Sequence, residues 1–116
     1  LVKREGGYIP ERGDAVWITL DPQAGHEQEG RRPALVLSPS AYNGRVGLAL
    51  LCPITKPVKS YPCGVALPEK SPVQGVVGGA DQVESLDWRA RKATRIGTVS
   101  DEVIAEVIRR LQTLLL

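Results

Sequence analysis

Val46-Gly-Leu-Ala-Leu-Leu-Cys-Pro-Ile54 is the longest apolar run in the chain, and it is apolar at both alternating sets of positions. A strand with one wet face alternates apolar and polar residues, whereas a strand covered on both faces does not. The run is therefore predicted to be the central strand of a sheet. It is far shorter than the ~20 apolar residues that cross a membrane as a helix. Pro53 brings no N–H to a ladder, so pairing must falter there, and Thr55-Lys-Pro57 returns the chain to solvent.

Toward the N-terminus, Asn43-Gly44 reads as a turn and Ser38-Pro39 as a stop, which isolates Pro33-Ala-Leu-Val-Leu37 as a second buried strand. Asp14-Ala-Val-Trp-Ile-Thr-Leu20 alternates, with Val16, Ile18 and Leu20 on one face and Ala15, Trp17 and Thr19 on the other. That is a first strand, ended by Asp21-Pro22. A polar loop, Gln23 to Arg32, joins the two. Toward the C-terminus, Gly64 to Leu67 and Gly75 to Ala80 are short strands separated by Pro68 to Pro72, and Arg95 to Val99 is a last one. The period then changes. Val103, Val107, Leu111 and Leu114 recur at helical spacing, and Ile104, Ile108 and Leu115 widen the stripe. Ser100 is a natural N-cap, Asp101 and Glu102 suit the helix dipole, and Glu106 and Arg110 are placed to pair. The expected fold is mainly β with a C-terminal helix, a small barrel whose open side the helix covers.

At 116 residues the chain fits a single domain, 1–116. A hydrophobic fraction of 42% with 24% charged residues excludes a collagen, a disordered tail or a disulfide scaffold. The net charge of +2, from 15 Lys and Arg against 13 Asp and Glu, does not demand nucleic acid but permits a local basic surface. Cys52 and Cys63 show no CxxC spacing and stand with a single histidine, so zinc lacks ligands and neither metal nor cofactor is expected. The thiols fit a reduced, cytoplasmic protein. The charged opening segment does not resemble a secretory signal, and no membrane association is expected.

Four segments hold candidate chemistry. In Gly25-His-Glu-Gln-Glu-Gly-Arg-Arg-Pro33, His26 has the pKa for proton transfer near neutrality, Glu27 becomes a base if desolvated, and Arg31 and Arg32 match phosphate oxygens. Thr55 emerges where a buried strand ends. Asp81-Gln82 follows a run with paired glycines that admit a ligand or form a bulge. Trp88-Arg-Ala-Arg-Lys-Ala-Thr-Arg95 sets four cations beside an aromatic, as single-stranded nucleic acid or an acidic protein tail requires. Taken singly, each segment reads as well or better as ordinary surface structure: a solvated hairpin loop, a strand-ending threonine, a bulge, a basic loop over a buried tryptophan.

Together they resemble the MazF/Kid/PemK toxins of toxin–antitoxin systems. The similarity rests on Arg12-Gly-Asp-Ala-Val-Trp17, Leu20-Asp-Pro22, the Gly25–Pro33 loop, Val36-Leu-Ser-Pro39, Cys52-Pro-Ile-Thr55, Ala80-Asp-Gln-Val83 and Trp88-Arg-Ala-Arg91, in family order and spacing. The resemblance implies an SH3-like, CcdB/Kid-like plasmid-maintenance toxin barrel and a homodimer. It also implies an endoribonuclease that cuts single-stranded mRNA at short sequences. Its partner would be a MazE-like antitoxin whose acidic flexible tail occupies the RNA groove. The family's arginine before proline falls on Arg32, its strand-end threonine on Thr55 and its loop glutamate on Glu27. His26 and Asp81 match Kid-type members, but Gly79 stands where those have an arginine, which favours the Arg–Thr arrangement of the MazF branch.

The implied reaction is metal-free attack of the RNA's 2′-hydroxyl on the adjacent phosphate, with Arg32 and Thr55 stabilising the charge that develops. Glu27, ranked above His26, is the candidate base or acid. Trp17, Gln28, Arg31, Asp81, Gln82, Arg89 and Arg91 are candidate RNA contacts. A CcdB-like topoisomerase poison is the rival from another class. That family relies on a C-terminal Trp-Gly-Ile, whereas this chain ends in Leu114-Leu-Leu116. A non-catalytic RNA-binding barrel is a second rival, separable only by assay.

Overall fold

The structure, a computed structural model, describes residues 7–19, 30–56, 64–78 and 82–116. β1 (Asp14–Thr19) and β2 (Arg31–Val36) are antiparallel, with Trp17 opposite Pro33 and Ile18 opposite Arg32. β3 (Leu48–Thr55) lies beside β2, with Leu35 opposite Cys52, in the middle of the sheet as its two-sided apolar pattern requires. Its other edge is shared between two strands. β6 (Glu84–Asp87) pairs with its first half, and β5 (Val76–Val77) with Ile54 and Thr55. The partner changes across Cys52 and Pro53, where the proline has no N–H to give and its carbonyl accepts from Gly78 N at 2.7 Å. β4 (Val65–Ala66) and β7 (Thr94–Thr98) end the strand order β4-β5-β3-β2-β1-β7, which is an open half-barrel.

The pleat divides the interior in two. Ala15, Leu35, Cys52, Ile54 and Val77 face the C-terminal helix α2 (Asp101–Leu115) and pack on its Val103 and Val107. Val16, Ile18, Ala34, Val36 and Leu51 face the other way, where Leu86 and Trp88 close over them. Each Val, Leu or Ile among them taken from water contributes about 1.5–3 kcal/mol. Ser100 caps α2, its hydroxyl accepting from Val103 N at 3.3 Å. The Glu106 carboxylate accepts from Arg109 Nη2 at 2.6 Å and Arg110 Nε at 2.7 Å, and these bonds hold its carboxyl down at about 2. The apolar stripe outruns the core, and Leu114, Leu115 and Leu116 are exposed.

Two elements depart from expectation. Asn43-Gly44 is not a turn; both residues lie inside a helix, α1 (Ser40–Val46). Asn43 is fully buried, where its Nδ2 donates to Pro10 O (2.8 Å) and Ser38 O (2.9 Å) and its Oδ1 accepts from Ser38 Oγ (2.6 Å). The glycine that ends the helix is Gly47, at φ 85°, with its N–H bonded to Asn43 O. The N-terminus is capped from elsewhere in the chain: the Glu11 carboxylate accepts from Ser40 N at 2.7 Å, which holds that carboxyl below its usual range. The second departure is β6, whose Glu-Ser-Leu-Asp carries no apolar run because it buries only Leu86. The expected short strands are present but trimmed: Gly64 to Leu67 to Val65–Ala66, and Gly75 to Ala80 to Val76–Val77, with Gly79 and Ala80 outside the described residues.

Candidate functional site

β2 and β3 diverge past the Ala34–Pro53 pair, and the residues two steps beyond it are Arg32 and Thr55. Side chains two apart share a face, so both leave from the same side of the sheet at the open end of one ladder. Both are exposed. Arg32 Nη1 donates to Arg31 O at 3.1 Å. Thr55 is held by β5, which comes so close that a Cβ on Gly75 would lie 2.6 Å from the Thr55 carbonyl oxygen. At φ +142° and with no side chain, glycine is what admits that approach. Gln82 packs its side chain against Gly78, the residue bonded to Pro53 O, and so borders the same end of β3. A guanidinium and a hydroxyl thus share one face where the sheet opens, a pair suited to a phosphodiester, with the Gln82 amide bordering the β5 side of the same strand end.

The other expected residues divide. Trp17 is 43% exposed, but it pairs with Pro33 and so sits on the opposite face from Arg32. Arg31 turns its guanidinium onto chain oxygens, among them Lys92 O at 2.9 Å. Arg91 Nη1 donates to Thr19 O at 3.0 Å. Arg89 lies over the Trp88 ring, 4.5 Å from its centroid, and Trp88 is itself 4% exposed with its indole N–H on Asn43 O at 3.0 Å. Trp88 is therefore core rather than a platform for bases. His26, Glu27, Gln28 and Asp81 lie outside the described residues, as does Cys63.

Arg89, Lys92 and Arg95 gather with Tyr8 and Thr94 around a cleft of about 510 Å³. Tyr8 carries no signal in the sequence, since it lies some eighty residues from its neighbours here. Its hydroxyl donates to the buried Asp14 carboxylate, and burial and that bond push its pKa up. Asp14 also lies 3.6 Å from Arg95 Nε, which anchors one wall of the cleft. A larger cleft, about 610 Å³, between Pro68–Pro72 and the start of α2 holds none of the expected site residues. Among the described residues, no helix is long and apolar enough to cross a membrane, and no three His, Cys, Asp or Glu side chains gather as a metal site.

A family model described as the PemK-like, MazF-like toxin of type II toxin-antitoxin systems matches residues 11–115. The chain belongs to this family. The endoribonuclease toxin MazF of Escherichia coli (strain K12) is 43% identical to it over 108 residues, 93% of this chain and 96% of that one. A crystal structure of MazF from Deinococcus radiodurans superposes with a TM-score of 0.81 at 53% identity, covering 93% of this chain and 97% of that one. A MazE–MazF complex from the same organism gives 0.83 at 50% identity, with the same coverage. The half-barrel with one C-terminal helix is thus the MazF-type fold. In this member of the family, the Arg32–Thr55 pair sits at the open end of the β2–β3 ladder.

Proposed function

We propose that this chain is an endoribonuclease toxin that cuts single-stranded mRNA in the cytoplasm and is neutralised by a MazE-like antitoxin. The convergence of Arg32 and Thr55 on one face carries the reading, and relatives named as endoribonuclease toxins and a MazE–MazF complex support it. Attack of a 2′-hydroxyl on the neighbouring phosphorus forms a bond from O2′ and breaks the bond to O5′. The 2′-hydroxyl proton passes to a base and the departing O5′ takes one up. Between those events negative charge concentrates on the non-bridging oxygens. The Arg32 guanidinium and the Thr55 hydroxyl bind that charge more strongly than the ground state, which is what accelerates a reaction. Glu27, before His26, is the group for the proton transfers, since arginine releases a proton too reluctantly. Gln82 and Asp81 contact a base, and the Arg89–Lys92–Arg95 cleft takes flanking phosphates or the antitoxin's acidic tail. A homodimer covers the exposed end of α2.

Incubating the protein with a long RNA in EDTA and mapping the ends tests this. The expected products carry a 2′,3′-cyclic phosphate, or its hydrolysed 3′-phosphate, and a 5′-hydroxyl. Metal-dependent cutting with 5′-phosphate ends contradicts the mechanism, and intact RNA contradicts the function.

A further inference from the structure

Arg31 is half-buried and spends its guanidinium on the protein's own oxygens. Nη2 donates to Lys92 O at 2.9 Å, Thr94 Oγ1 at 3.1 Å and Trp17 O at 3.3 Å, and Nη1 to Thr19 Oγ1 at 3.2 Å, with Arg91 O at 3.5 Å. Both terminal nitrogens are thereby directed at chain oxygens. The acceptors belong to three separate pieces of chain: the end of β1, the turn after β6 and the start of β7. That turn is held in an unusual shape. Lys92 has φ 58°, a left-handed conformation that a non-glycine residue keeps only when its surroundings impose it, and its carbonyl is the nearest of Arg31's acceptors. Two further bonds close the same seam, Thr19 N donating to Arg91 O at 3.1 Å and the Arg91 side-chain Nη1 donating back to Thr19 O at 3.0 Å.

The place of this clamp gives it a role. Thr19 and Arg31 are the strand ends on either side of the segment that carries His26, Glu27 and Gln28, and Arg32 is the next residue along. We propose that Arg31 is a positioning residue. By bridging Trp17, Thr19, Lys92 and Thr94 it fixes the end of β2 on which Arg32 sits, and it does not itself touch RNA. Its planar fork reaches several oxygens at once, which the point charge of a lysine does not do. The inference rests on the reading of Arg32 as the phosphate-binding cation, because a misplacement of about 1 Å there costs on the order of 10²-fold in rate.

Arg31→Lys and Arg31→Met, compared with the wild type, test it on three readouts. In cleavage, kcat is expected to fall about 10–100-fold with KM within about twofold. Thr94→Val should lower kcat in the wild type yet add nothing in Arg31→Met, since both remove the same bridge. In binding to an RNA with one 2′-deoxy nucleotide at the cut, the salt slope should stay unchanged, whereas a lost phosphate contact lowers it by about 0.7. In hydrogen exchange, the Thr19 and Ala93 amides should open at least about tenfold faster while that of Leu51 does not. A raised KM with normal kcat and a lower salt slope would make Arg31 an RNA contact and overturn the proposal. Unchanged exchange at Thr19 and Ala93 would remove the clamp whatever the activity. If the wild type cuts no RNA, the function fails and positioning with it, while exchange still reports whether the clamp exists.

Discussion

Arg32 and Thr55 offer a phosphate different things, so their variants should fail differently. Arg32→Ala removes a full charge from the transition state and should slow single-turnover cleavage by about 10²–10³, with an unchanged melting temperature because the side chain is exposed. Thr55→Val keeps the shape and deletes one hydroxyl, and it should also cost rate but not stability. If activity instead tracks stability across both, the residues are structural. Asn43 is the opposite case. Asn43→Ala strips partners from Pro10 O, Ser38 O and Ser38 Oγ in a dry site and should cost about 3 kcal/mol in urea unfolding without a specific effect on cleavage chemistry. How much was legible differs the same way. Arg32 and Thr55 stand out through the motif around them, whereas Arg31 looks identical to Arg32 on paper. A sequence gives the charge of a guanidinium but not the direction of its donors, and those are set by residues some sixty positions away.

Elements were legible where their stability is written in their own residues. The two-sided apolar run of β3 and the helical stripe and Ser100 cap of α2 could be placed to within a few residues. α1 and β6 could not, because what holds them lies elsewhere: Glu11 caps α1, and β6 relies on the edge of β3. Ser100→Ala should cost about 1 kcal/mol by orphaning Val103 N. The Glu11 cap should show in the pH dependence of stability. Its carboxyl titrates below the ordinary 4.5 when folded, so its contribution is complete above that value and is lost as pH falls through the folded one. The difference in unfolding free energy between wild type and Glu11→Gln should therefore be flat above about pH 4.5 and shrink below it, and a difference that grows on acidification would contradict the cap. On the proposed function, RNA binding by the basic turn should weaken with salt. Removing Arg89, Lys92 or Arg95 should each lower the log–log salt slope of RNA binding by roughly 0.7, and unchanged slopes would place RNA elsewhere.

On the scale of the whole molecule, a sheet with a core on each face leaves little of itself for a ligand except its ends. The pleat buries Val16, Ile18, Ala34 and Leu51 on one side and Leu35, Cys52 and Ile54 on the other, and where β2 and β3 part Arg32 and Thr55 leave from one face. Trp17 lies on the opposite face of the strand ends from Arg32 and so away from the phosphate site proposed for Arg32 and Thr55. The central claim is that the RNA's own 2′-hydroxyl is the nucleophile and that Arg32 and Thr55 serve the phosphate it attacks. A single 2′-deoxy substitution immediately 5′ of the mapped cut tests it most directly. Binding to that RNA should match the all-ribose strand, because every phosphate and base contact survives, while cleavage at that bond falls below detection. Cutting at the deoxy position at an appreciable fraction of the normal rate would contradict the mechanism, because the nucleophile would then have to come from water.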